Sequence, residues 1–491
     1  MAKFKPITKR DLELLISDHL ISLGNIDTSL ITDMSYLFYR SNREDFSGIE
    51  TWDVANVKNM SHMFNKAVYF NQDISNWNVS KVTDMTKMFC DAKHFNQPLG
   101  SWDVSNVENM TSMFGQTKFF NQDISNWNIS QVKNIRQMFW HAESFNQDIS
   151  GWNVSNIKDM SGVFFGARAF NQDISGWDVS NVENMSKMFY GAANFNQPIG
   201  DWNVSNVTDM SSMFNNASNF NQDISHWDVS NVKNMSFMFS GAVSFNQDIN
   251  GWNVSNVTNM SYMFENAKVF NQDISSWDVG NVTDMSHMFA GAIKFNQPLN
   301  AWDVSQVGNM STMFKYTKSF NQPLDKWNVS NVINMSNMFE SSVSFNQDIS
   351  GWDVSNVIDM SWMFWCAYSF NQPIGSWNLL NIQYMEGMFS RAKSFNQNIN
   401  NWNISKVASL EHVFSGAIAF NQPLDNWDVS NVTNMYSMFC GASSFNQNIS
   451  NWDVSSLREI TSMLENASAF DKNNIKWADT GKFSIHSMLY G

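Results

Sequence analysis

Apolar residues recur along this chain at a fixed interval of 25. With Phe245 as position 0, they stand at 0, 4, 7, 9, 12, 15, 18, 19 and 22. In that copy they are Phe245, Ile249, Trp252, Val254, Val257, Met260, Met263, Phe264 and Ala267. Phe holds position 0 in all 17 turns from Phe70 to Phe470, and Trp holds position 7 in all 18 from Trp52 to Trp477. So strict a period marks a stack of turns in which each repeat completes its neighbour's core. Trp252 and Val254 alternate with outward polar residues, which predicts a short strand. From Val257 the spacing becomes i, i+3, i+6, i+7, i+10, which predicts a short helix with Ser255 or Asn256 as its N-cap. The expected architecture is an α/β solenoid: 25-residue turns, each a short parallel strand plus a short helix, with an N-terminal helical cap.

Four segments follow. Residues 1–25 predict a capping helix of about 14 residues. Thr8 and Asp11 fit a capping box, Leu12, Leu15, Ile16 and Leu20 recur at helical intervals, and Gly24 follows. Residues 26–51 form a degenerate first turn, with Ile26 in place of Trp, and an irregular link. Residues 52–469 are the regular repeat, and 470–491 a terminal partial repeat. There Trp477, Ile485, Met488 and Leu489 keep the register. The apolar end they leave is expected to be either frayed or shielded by an end-to-end dimer through the C-terminal turn.

The polar letters fit the same frame. Asn at position 1 and Gln at position 2 accompany each Phe from Phe70 to Phe445, which predicts side-chain ladders running from turn to turn. Position 3 is Asp, Asn or Pro, a corner. Position 8 is Asp in nine turns and Asn in eight, so an acceptor oxygen is wanted there and calcium coordination is not.

Composition removes several classes of function. The net charge of −15 argues against nucleic acid and anionic membranes as partners. Cys90, Cys366 and Cys440 lie on well-separated turns, with neither disulfide nor metal-ligand spacing. The histidines scatter over the repeat, and no nucleophile or phosphate-binding motif interrupts it, so neither an enzyme nor a cofactor or metal is expected. No apolar run is long enough for a membrane-spanning helix. The opening MAKFKPITKRDLELL lacks the pattern of a secretion signal, and no anchoring motif precedes the end at Gly491. The recurrent Asn-x-Ser/Thr triplets arise from the repeat letters themselves and carry little weight as glycosylation acceptors.

Binding chemistry then belongs to the positions that vary: 6, 13, 17, 20, 21, 23 and 24. Aromatic residues gather at two of them. Position 20 reads Trp140, Phe165, Tyr190 on successive turns, and position 17 reads Phe237, Tyr262; Trp362 and Trp365 share one turn. These seven are the candidate ligand-binding residues, against the alternative that they only stack and stiffen the array.

The unit FNQDISxWNVSNVTNMSxMFxxA resembles the 25-residue repeat of the BspA-like leucine-rich-repeat surface proteins, also described as a mycoplasma-type repeat of unknown function. The resemblance covers residues 26–491, and Thr8–Phe38 is similar to the leading cap of such arrays. It implies a right-handed leucine-rich-repeat-like solenoid on bacterial surfaces or secreted, non-enzymatic, with adhesion to host matrix proteins or cells. The expected function is an adhesin-like module presenting an extended face to protein or glycan. The other reading is an intracellular repeat scaffold or effector, which the missing leader favours.

Overall fold

The computed structural model describes residues 4–477 and 483–490. The chain divides into two compact units, Met1–Gln247 and Asp248–Gly491. Each is a stack of 25-residue turns, a repeat solenoid, as the period requires.

The core of each turn is the predicted apolar set. Positions 0, 4, 12, 15, 18, 19 and 22 are almost wholly buried in turn after turn, and Trp at position 7 keeps only a few per cent of its surface. Two Phe ladders run along each unit. Position 19 stacks on position 19 of the next turn, as in Phe139 on Phe164 at 5.8 Å, and position 0 on position 0, as in Phe145 on Phe170 at 6.1 Å. Within a turn the two rings lie closer still, Phe139 to Phe145 at 4.0 Å. Each buried Phe contributes roughly 1.5–3 kcal/mol from its area alone, before stacking.

Polar ladders hold the corners. Within each unit the Trp indole N–H groups donate to the position-4 carbonyl of the preceding turn, as Trp102 does to Ile74 at 3.1 Å. Asn96 Oδ1 accepts from Asn121 N at 3.0 Å and from Gln122 Nε2 at 3.0 Å, and the pattern repeats along both units. At position 8, Asp103 Oδ1 accepts from Ser105 N at 3.1 Å, and Asn128 Oδ1 accepts from Ser130 N at the same distance. Both residue types close the same small turn with one oxygen, which is why they exchange.

The secondary structure departs from expectation. Among the described residues no helix and no strand forms at the positions where each turn was predicted to carry one. Val257–Ala267 and its equivalents are instead a run of overlapping β-turns. In one turn Met88 N donates to Met85 O, Cys90 N to Lys87 O and Ala92 N to Phe89 O, each i to i−3. The alternate amides point to the next turn: Met85 N to Asn109 O, Lys87 N to Thr111 O, Phe89 N to Met113 O and Asp91 N to Gly115 O. Positive φ at positions 17 and 21, here Lys87 (52°) and Asp91 (60°), turns those amides outward and forbids an α-helix. Inter-turn pairing gathers here as single parallel bridges at position 14, such as Asp84 to Asn109, rather than at Trp and Val. The apolar spacing of a helix and of this turn series is the same; only the two left-handed positions tell them apart.

At the N-terminus α1 (Lys9–Ser17) has the predicted capping box: Thr8 Oγ1 accepts from Asp11 N and Asp11 Oδ2 from Thr8 N. It is nine residues long, shorter than expected, and buries Leu12 and Ile16 while Leu20 stands exposed. Asp18 Oδ1 accepts from Leu20 N at 2.9 Å, a local turn that replaces the next helical bond. Buried Arg43, from the irregular link, donates to Ile16 O, a carbonyl the helix end leaves unpaired, and to Ile21 O beyond it. The link's register slip is absorbed by Phe46, which meets Phe70 edge-on (80°, 5.0 Å) where later turns stack flat. At the other end α2 (Ile485–Tyr490) buries Met488, and Leu464 N donates to Met488 O. Residues 478–482 of the expected terminal repeat lie outside the described residues.

Candidate functional site

Positions 16 to 24 form one side of the turns, where residues change from copy to copy. The three aromatic residues predicted at position 20 lie on it half-buried, but not as one stack. Phe165 and Tyr190 stack face to face (4.5 Å, 7°). Trp140 instead meets His141 (5.6 Å, 52°), and His141 meets Phe165 edge-on (5.1 Å, 79°). The histidine, at position 21, thus joins the tryptophan to the pair. Its bulk fits because the next turn has Gly166 at that position; a Cβ there would overlap the imidazole. Partial burial holds the His141 imidazole below its ordinary pKa.

Three clefts meet at Trp140 on this side of the first unit. One of about 540 Å³ is lined by Lys93, Gln116, Lys118, Trp140, His141 and Glu143. A second, about 460 Å³, runs from Tyr36 and His62 past Lys66 and Lys87 to the same indole. The third, about 300 Å³, lies between Arg136, Trp140, Phe165 and Lys187. Tyr36 stacks on His62 (4.4 Å, 8°) at position 17, a pair the sequence reading passed over.

Phe237 and Tyr262, both half-buried with φ near 60°, fall in different units. Tyr262 stacks on His287 (4.1 Å, 10°), and desolvation raises the Tyr262 phenol pKa and lowers that of the imidazole. Trp362 and Trp365 pack edge-to-face (5.7 Å, 72°), and Trp362 reaches His412 two turns on (6.0 Å), whose ring meets Tyr436. The histidines are therefore less scattered than expected: His62, His287 and His412 all occupy position 17 and all meet rings. Indexing them by repeat position would have found this.

Among the described residues no group of three or more His, Cys, Asp or Glu is placed to hold a metal ion, and no helix is long and apolar enough to cross a membrane. All three cysteines are free thiols, and burial pushes Cys90, beside Lys66 and Lys87 in the second cleft, up to about 11. At exposed corners Asp73, Asp123, Asp148 and Asp173 have carboxyls below their ordinary pKa, because a serine two residues on donates to each.

Comparison with known proteins places the repeat. No curated protein matches the chain significantly. Among solved structures, the TLR13–ssRNA13 complex aligns at 11% identity over 91% of this chain and 76% of that one, TM-score 0.18. A leucine-rich-repeat protein of Leptospira interrogans aligns at 7% identity over 96% of each chain, TM-score 0.19. The functional domain of InlJ from Listeria monocytogenes gives 9% identity over 87% of this chain and 69% of that one, TM-score 0.18. These similarities are too low to carry an argument. A family description does match, seven times in overlapping segments: residues 15–127, 112–215, 159–272, 194–302, 247–352, 283–402 and 385–491. By that coverage the chain belongs to the family described as Mycoplasma protein of unknown function, DUF285.

Proposed function

We propose that this is a non-enzymatic interaction protein, an adhesin-like module of BspA-like character, whose position 16–24 side presents an extended face to a protein or glycan ligand. The observation that carries it is the convergence of three clefts on Trp140, on the side where the repeat letters vary. The frame positions are consumed by packing, whereas Trp140, Phe165 and Tyr190 keep surface in contact with solvent. Half-buried aromatic residues beside polar side chains are the usual anchors of interfaces. Placement at the cell surface or in the secreted fraction is part of the same proposal and rests on the resemblance of the repeat.

The test uses the full chain on immobilised matrix proteins and on a glycan array. Replacing Trp140, Phe165 and Tyr190 by Ser should abolish binding and move the melting temperature by a few degrees at most. A collapse in melting temperature would assign the rings to stiffening instead. Fractionation of native cells addresses location: recovery solely in the cytosol would favour the intracellular scaffold.

A further inference from the structure

The chain is acidic, but its acidity is not on this face. Carboxylates recur most often at positions 3 and 8, outside positions 16 to 24. The three clefts around Trp140 are lined by six cations, Lys66, Lys87, Lys93, Lys118, Arg136 and Lys187, against two carboxylates, Asp91 and Glu143. Among the described residues, only two of the six have a carboxylate partner, and both pairs are long. Lys93 to Asp91 is 3.9 Å and Lys118 to Glu143 is 3.7 Å, both beyond hydrogen-bonding reach. Among the described residues Lys66, Lys87, Arg136 and Lys187 have no carboxylate within 4.0 Å. With six cations against two carboxylates, these clefts favour anions even on a chain of net charge −15.

We infer that this face of the first unit binds a linear anionic polysaccharide, an assignment that rests on the interaction reading above and names its partner. The rings count against nucleic acid. Tyr36 with His62, and Phe165 with Tyr190, stack on one another, which takes up one face of each ring. The edges of such stacked rings are electropositive. Base stacking needs free faces; an oxyanion is met well by edges. Lysines outnumber arginines five to one in the clefts, and lysine is a point charge without the bidentate fork that phosphate recognition favours. An extended acidic peptide would gain from an open sheet edge, but the amides at positions 17, 19 and 21 of these turns are already donated to the next turn. A chain of sugars carrying regularly spaced anions needs neither: shallow clefts in a row, with cations contributed by five turns, suffice.

The experiment is fluorescence anisotropy of a labelled heparin octasaccharide titrated with the full chain at rising salt. Micromolar or tighter binding that weakens steeply with salt is expected. The variant Lys66→Gln, Lys87→Gln, Arg136→Gln, Lys187→Gln should weaken it by about tenfold or more and flatten the salt slope, with unchanged thermal melting. A matched variant in the second unit, Lys268→Gln, Lys294→Gln, Lys318→Gln, Lys393→Gln, should stay within about twofold. Competition uses neutral dextran, polyglutamate and oligothymidylate. Absence of heparin binding, an unaltered affinity in the first variant, or equal or tighter binding of polyglutamate or oligothymidylate overturns the assignment. If the Trp140, Phe165, Tyr190 serine variant then still loses a matrix-protein or glycan ligand, the interaction reading stands and only the anionic partner falls.

Discussion

The indole of Trp362 occupies the space that a Cβ on Gly387 would need, one turn further along at the same repeat position. Gly387 also has a positive φ of 60°, so two constraints meet there. Gly387→Ala should destabilise by about 1–2 kcal/mol from the left-handed backbone alone and more from the displaced indole. In the background of Trp362→Ala the second loss should vanish. A double-mutant cycle by chemical denaturation checks this, with a coupling of about 1–3 kcal/mol expected; additivity would mean that the indole yields freely.

Lys315 and Glu340 form an ion pair at 2.9 Å in the second unit, with the glutamate only 1% exposed. Asn337 Nδ2 donates to the same carboxylate. Removing the cation leaves a buried negative charge with one hydrogen bond, so Lys315→Met should cost about 3 kcal/mol or more. Adding Glu340→Gln should restore most of that loss. Equal losses in the single and double variants would show that the carboxylate is already solvated.

The corner aspartates predict the acid limb of stability. Hydrogen bonds from the side chain and N–H of the serine two residues on hold the carboxyls of Asp73, Asp123, Asp148 and Asp173, among others, below the ordinary carboxylate range, and Asp27 falls to about 2. A folded pKa below the unfolded one adds stability that is full above the unfolded value. It is lost as pH falls through the folded value. The melting temperature should therefore be flat near neutrality from this source and decline as pH drops from about 4 towards 2. Asp→Asn at these four corners should lower neutral stability modestly and make the acid decline shallower, because Asn keeps the acceptor but not the charge and does not titrate.

Cys90 is buried, and its thiol is raised to about 11 although Lys66 and Lys87 stand close. Alkylation by iodoacetamide at pH 8 should be far slower than for an unfolded control and should track global unfolding. Rapid native-state labelling would show that the second cleft opens to its floor.

Much of this was written in the letters. The 25-residue period, the buried Phe, Trp and Met positions, the Asn ladder and the Asp/Asn exchange all follow from spacing and side-chain chemistry. Helix and strand did not, because Val257, Met260, Met263, Phe264 and Ala267 fit a helical face and a turn series equally. The missed signal is at position 21, where Gly166, Gly191, Gly241 and Gly291 recur just before the small residue; glycine there marks a left-handed backbone. On the variable side the sequence located Trp140, Phe165 and Tyr190 but not His141 or the cations around them. Whole-chain net charge averages over faces, and the pairing of a large ring with a glycine on the next turn is visible only when copies are compared in order.

Within each unit, turn after turn donates alternate amides to the turn that follows, with few exceptions. Such a fold can lengthen or shorten by whole copies, since gene duplication or loss of 25 codons rejoins identical edges, while a single inserted residue would misalign all of them at once. The frame is thus tolerant of recombination, but the face is not neutral to it. A crossover between the turns of Trp362 and Gly387, or of His141 and Gly166, would part a ring from the hollow that accommodates it. Copy number is free to drift; the order of the copies is where selection can act.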